Sequence, residues 1–286
     1  MGKILFLFLM HGFLVFNLLA SDIVGPHVAG SFYPDDPEEL SLMIDGFLSQ
    51  ADPEPVPGEI FALISPHAGY GFSGEAAAFG YKLVKDKPYK TVVILGTGHS
   101  YAFSGASVYP EGVFRTPLGD LEVDNEFARQ LISPQDDIKF IPEAFKNEHS
   151  LEVQLPFLQR TLSGIKIVPV ILGDCPLYTC ERLAELVKNA IGGRKDVLVI
   201  ASSDMYHGYD FDQAESVDRK TLSVLQNISG LELYSGLRKD ELKLCGGFGV
   251  VTAVILSKAL GYDKIKLLKY TNSGRITGSM KKGVGP

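Results

Sequence analysis

At 286 residues the chain accommodates one large domain or two small ones, and 45% hydrophobic against 21% charged residues supports a sizeable buried core. A net charge of −7 without any long run of Lys or Arg weighs against nucleic-acid binding, which needs clustered cations to meet phosphates. Three cysteines are too few for a disulfide scaffold. The chain opens with Lys3 and a run at 4–20 that is apolar apart from His11, Gly12 and Asn17. Residues 1–21 therefore read as a signal-peptide-like segment, slightly short for a membrane span. Ala20 suits the last position of a cleavage site, whereas Leu18 is not small. The expectation is an exported protein or one anchored by this segment, which would be its only membrane contact. An upstream start codon, with a cytoplasmic protein, is the alternative. Residues 22–286 form the folded unit.

In chain order, turn residues at 34–37 end an extended start. A helix is expected over 38–48, with Leu40, Met43, Ile44 and Phe47 on one face. A proline-rich loop, 51–58, leads to a strand at 60–64. A turn holding His67, Gly69, Gly71 and Gly74 follows, then a helix over 75–84. Strands are expected at 91–95, 106–109 and 121–123, the last two flanking a turn-rich 115–120. Helices follow at 125–131 and 151–162, with Pro156 kinking or restarting the second. Next come a strand at 165–172, a helix at 181–191 and a strand at 197–201. Helices at 211–225, 231–237 and 249–260 and a last strand at 265–270 complete the pattern. Strands alternating with helices imply one α/β domain with a central, mainly parallel sheet flanked by helices.

In such sheets ligands bind beyond the carboxyl ends of the strands. His67, His99, His149 and His207 all fall in turns beside core elements, and two of them follow apolar strands almost directly. Neutral imidazole is the commonest metal ligand, although a single loop histidine is usually structural. Cys245 stands in Leu244-Cys245-Gly246-Gly247, just before an apolar helix, where a thiol can serve as ligand or nucleophile or simply pack as a small buried residue. Asp204 and His207, beyond the strand at 197–201, suit a proton acceptor with its orienting partner, support for a metal ligand, or an ordinary Asx turn. Cys175 and Cys180 are close enough in sequence to pair in an exported protein, or they pack as separate thiols. Two motif matches fail on context. Gly69-x-Gly71-x-x-Gly74 fits a dinucleotide fingerprint, but no acidic residue for a ribose follows the next strand. Gly71-Phe72-Ser73-Gly74 runs into Glu75 and is not a nucleophile elbow.

Nine strings then carry a resemblance: VAGSFYP (28–34), SPHAGY (65–70), ILGTGHS (94–100), RTPLGDLEVD (115–124), NEHSLEVQLPFL (147–158), VPVILG (168–173), SSDMYHG (202–208), CGGFGV (245–250) and YTNSG (270–274). In type and order they resemble the Memo family, called AmmeMemoRadiSam system protein B in prokaryotes. The resemblance implies a fold like that of the class III extradiol dioxygenases. It further implies an iron or copper site whose ligands match His67, His99 and Cys245. Asp204 and His207 match a candidate acid and base, and His149 matches a histidine lining the same pocket. Departures are Ser100, where the animal form has a second histidine, and Phe248, near the place of another. Where the chain stops, at Val284-Gly285-Pro286, a closing apolar strand is expected.

Two histidines and a cysteine suit iron, copper or catalytic zinc. The leading expectation is a mononuclear redox protein or oxygenase-like enzyme of unknown substrate. The alternatives are a non-catalytic adaptor module on the same fold, allowed by the resemblance, and a metal-free cysteine hydrolase. The family's genomic name implies a functional link to radical SAM and AMMECR-type proteins.

Overall fold

A computed structural model describes residues 22–278, so the leader and the expected closing strand lie outside the described residues. The chain begins with β1 (Ile23–Val24) and α1 (Pro37–Gln50). Asp36 caps α1 by accepting from the N–H groups of Glu38 and Glu39, and Pro37 occupies the first turn, where a missing N–H costs nothing. There follow β2 (Ala62–Ser65), α2 (Tyr70–Val84), β3 (Thr91–Thr97) and β4 (Ala106–Val108). A hairpin of β5 (Val113–Thr116) and β6 (Gly119–Glu122) leads to α3 (Asn125–Gln130) and β7 (Ile138–Lys139). Two short helices, α4 (His149–Glu152) and α5 (Leu155–Thr161), precede β8 (Lys166–Leu172), α6 (Leu177–Ile191) and β9 (Val197–Ser202). Last come α7 (Phe211–Gln226), α8 (Gly230–Arg238), α9 (Gly247–Ala259) and α10 (Ser273–Thr277).

The main sheet has six strands in the order β2-β9-β3-β8-β4-β7. Its pairs are parallel except β4 with β8. Strands β3, β8 and β9 are buried almost throughout, as expected of parallel strands covered on both faces. Helix α9 lies across the centre of one face and packs on α6 and α8, while α1, α2 and α5 pack together on the other. The result is a single α/β domain whose mainly parallel sheet is flanked by helices, consistent with the dioxygenase-like expectation. A smaller sheet, β1-β5-β6, sits to one side. Among the described residues no helix is long and apolar enough to cross a membrane.

Three expectations change. The helix expected at 75 starts at Tyr70, so Gly71 and Gly74 are helical and not a turn. Gly74 is small because a Cβ there would sit 2.4 Å from the Phe47 ring, where α1 crosses α2. Thr116 and Gly119 close a hairpin within the stretch expected to be only a turn. Residues 265–270 form no strand, because among the described residues nothing pairs with their backbone. Pro156 restarts the helix: α4 ends at Glu152 and α5 carries the proline in its first turn. Cys175 and Cys180 are free thiols, both fully buried.

Candidate metal centre

Strands β2, β9 and β3 are adjacent and parallel, so their carboxyl ends open side by side. Two residues past β2 stands His67, two past β3 stands His99, and β9 delivers Ser202, Ser203 and Asp204. His149 opens α4 beside them. The rings of His67 and His99 meet edge-on at 5.2 Å between centroids, His67 and His149 at 5.5 Å, and His99 stacks on His149 at 4.3 Å. One ligand nitrogen from each of the three lies within 4.8 Å of the others, a spacing compatible with one metal ion.

The hydrogen bonds around His67 fix its tautomer. Gln154 donates from Nε2 to the Pro66 carbonyl at 2.9 Å and to Ser202 Oγ at 2.9 Å, while its Oε1 accepts from Tyr81 at 2.7 Å. The single proton of Ser202 goes to the Ser150 carbonyl at 2.6 Å. His67 Nδ1, 3.1 Å from the same Ser202 oxygen, must therefore carry the ring proton and donate it. Nε2 is left with a bare lone pair. It is buried and has no hydrogen-bond partner, with the nearest Asp204 oxygen 3.9 Å away. Burial pushes the His67 pKa down to about 4, the Asp204 charge opposing it only in part. A neutral imidazole held by its Nδ1–H, with a buried unpaired Nε2, is what a metal ligand requires.

His99 is held the same way. Glu148, almost wholly buried, accepts from His99 Nδ1 at 2.9 Å and from the His99 and Ser150 backbone N–H groups at 2.6 and 2.8 Å. Burial raises the Glu148 pKa, but the His99 bond and charge and these two N–H groups outweigh it and bring it down to about 2. His99 Nε2 then lies 3.0 Å from Cys245 Sγ. Burial works against charge on this ring, yet the bonds to Cys245 and Glu148 push its pKa up to about 10. A metal taken by Nε2 and the sulfur would displace that proton. Burial, helped by the His99 charge, lowers the His149 pKa.

Asp204 supports this group rather than joining it. Its Oδ1 accepts from the His67 backbone N–H at 2.7 Å, its carbonyl accepts from the Cys245 N–H at 3.0 Å, and its Oδ2 is 3.6 Å from His207 Nε2. Burial would raise its pKa, but His207 and His67 hold it below the usual range. The half-exposed His207 connects this carboxylate to solvent. The sequence-level candidates thus gather at one end of the sheet, but the three mutually close donors are histidines, with Cys245 in contact with His99. Glu148, Ser150, Gln154 and Ser202 join the site only in the fold. The first three carry a signal as polar residues among the apolar ones of 148–158, whereas Ser202 only ends the apolar run of β9.

A cavity of about 410 Å³ opens beside Cys245 and Gly98, walled by Tyr101, Phe103, Lys243 and Phe248. In protein stripped of metal, stability is expected to fall as pH drops from 6.5 to 4. Over that window the unfolded chain takes a proton on His67 that the folded chain refuses. The cost is roughly 3 kcal/mol. Urea midpoints measured across this range should show the loss, and the His67→Ala variant should lack most of it.

Comparison with known proteins places the chain in a wider group. The sequence profile of a family described as "Memo-like protein" matches residues 25–286. The chain is 39% identical over 272 residues to a MEMO1 family protein of Methanobrevibacter smithii, covering 91% of this chain and 96% of that one. It is 36% identical over 278 residues to a MEMO1 family protein of Methanopyrus kandleri, covering 91% and 95%. A MEMO1 family protein of Desulfurococcus amylolyticus is 37% identical over 277 residues, with the same coverage.

Proposed function

Because the chain belongs to the Memo family, and because its buried His67 Nε2 is unpaired on a ring that meets two further histidines, we propose that it is a mononuclear iron or copper protein of redox type. The observation that carries the reading is that unpaired nitrogen, set by a tautomer the surrounding network leaves no freedom to change. His67 Nε2, His99 Nε2 and Cys245 Sγ would hold the ion, and His149 stands close enough to supply a further donor. Such a set accepts iron or copper, and zinc as a redox-silent substitute. When bound, the ion would supply one-electron chemistry and open positions for a small molecule.

The chain's own residues do the rest. Glu148 keeps His99 with a proton on Nδ1, and Ser202 does the same for His67, so the His67 Nε2 stays available and the His99 Nε2 would become so once its bond to Cys245 is given up. Asp204 fixes the His67 backbone and the Cys245 backbone at once, which sets the distance between β2 and the start of α9. His207 carries protons between Asp204 and solvent. The cavity beside Cys245 admits the substrate, and its aromatic wall favours a flat, largely apolar body.

Metal analysis of protein purified without oxygen tests the reading. The expected result is a single iron or copper ion per chain, with content reduced in the Cys245→Ser variant. Neither metal in the wild type, together with no change on that substitution, would remove the redox function and leave the fold.

A further inference from the structure

The donors around the site differ in how they are held. His67 and His99 each give the Nδ1 proton to a fixed acceptor, Ser202 Oγ and Glu148 Oε1. His149 has no such tie. Its Nδ1 is 3.8 Å from Glu148 Oε1, beyond hydrogen-bond reach, and neither of its ring nitrogens is hydrogen-bonded among the described residues. Ring contacts, to His99 at 4.3 Å and to Phe32 at 5.0 Å, hold it instead.

Cys245 is placed differently again. Its sulfur is 3.0 Å from His99 Nε2, yet it lies outside the 4.8 Å mutual spacing that joins His67, His99 and His149. His67 and His99 therefore belong to two alternative sets of three donors, one completed by the sulfur and the other by His149. Cys245 also lines the cavity of about 410 Å³, whereas none of the three histidines does. Cys175 and Cys180 are fully buried, so Cys245 is the thiol that a small solute in that cavity meets.

We propose that Cys245 is a redox-controlled ligand: when a hydroperoxide oxidises its sulfur, His149 takes the sulfur's place and the ion stays bound by three imidazoles. This rests on the mononuclear reading above and adds its regulation. The Cys245 thiolate attacks one peroxide oxygen, so an S–O bond forms as the O–O bond breaks. The sulfur gives up two electrons and becomes a sulfenic acid, and the other oxygen leaves as hydroxide, which takes a proton to form water. Thiolate is the form of cysteine that ligates a metal, so the oxidised sulfur yields its position. A neutral imidazole suits the same ions.

The probe is zinc, which is redox-silent, loaded at one ion per chain and titrated against a chelator before and after one equivalent of hydrogen peroxide. Mass spectrometry reads the oxidation of Cys245, and each protein is compared with its own unoxidised state. Oxidation should weaken zinc binding less than about tenfold in the wild type, where one donor replaces another, and at least about 100-fold in His149→Ala, where a donor is lost outright. His149→Phe keeps the ring contacts and removes both nitrogens, so it should behave as His149→Ala does and guards against a packing defect. X-ray absorption of the oxidised wild type should show the sulfur neighbour at about 2.3 Å replaced by nitrogen at about 2.0–2.1 Å. Equal losses in the wild type and both variants would overturn the proposal, as would release of zinc from the oxidised wild type. An oxidised sulfur that stays bound to zinc, or a Cys245 that peroxide leaves unoxidised, would overturn it too. A wild type that takes up no zinc, iron or copper before peroxide would overturn the mononuclear reading itself, and this proposal with it.

Discussion

Protein carrying His67→Ala is expected to bind iron(II) or copper at least about 100-fold more weakly than the parent chain, since loss of a mere supporting partner already costs 10- to 100-fold. The effect is large because His67 is the least replaceable donor. It is 1% exposed and its Nε2 has no other partner. Ser202→Ala keeps the imidazole and removes the acceptor of its Nδ1–H, together with that oxygen's bonds to Gln154 and the Ser150 carbonyl. Roughly 10-fold to 100-fold weakening is expected there, because the ring can then turn or change tautomer. Competition titration against a chelator, on variants shown to be folded by circular dichroism, measures both. An unchanged affinity in His67→Ala would mean that the ion, if bound, is held elsewhere.

The second large effect concerns Gly246, the residue between Cys245 and the first residue of α9. A Cβ at this position would stand 2.1 Å from the Ser202 carbonyl oxygen, a backbone atom of β9 that cannot swing aside. Gly246→Ala must therefore push the start of α9 away from the sheet. The expected cost is about 3 kcal/mol, in the range of severe overpacking. The Cys245 sulfur should also leave His99, so the variant should label faster with a thiol reagent in the metal-free state. Gly71→Ala is the control, since a Cβ there meets nothing within 4 Å and alanine favours a helix. If thermal unfolding of the two variants were the same, close packing of α9 on β9 would not set the position of Cys245.

Much of the architecture is legible in the sequence because β3, β8 and β9 are mainly aliphatic runs without polar alternation, and such runs between helical segments leave few alternatives to a parallel sheet. The start of α2 is less legible. Three glycines suggest a turn by local preference, but Gly74 is there for the Phe47 ring, a tertiary contact no local window contains. Residues 265–270 carry a strand-like pattern with no strand to pair with among the described residues, and a pattern alone does not supply the partner. At the site, His67 and His99 stand out because they follow strands. Gln154 and Ser202 do not, because each gains its meaning from a residue about fifty positions away in the chain. Glu148 has the same character, since its role depends on His99 and is invisible until β3 and α4 are side by side.

X-ray absorption at the zinc edge of zinc-substituted protein tests most directly whether the sulfur and the two strand-end imidazoles share an ion. The account predicts one sulfur neighbour at about 2.3 Å with nitrogen neighbours at about 2.0–2.1 Å, the sulfur vanishing in Cys245→Ser. A shell of nitrogen and oxygen alone in the wild-type protein, identical in that variant, would contradict it.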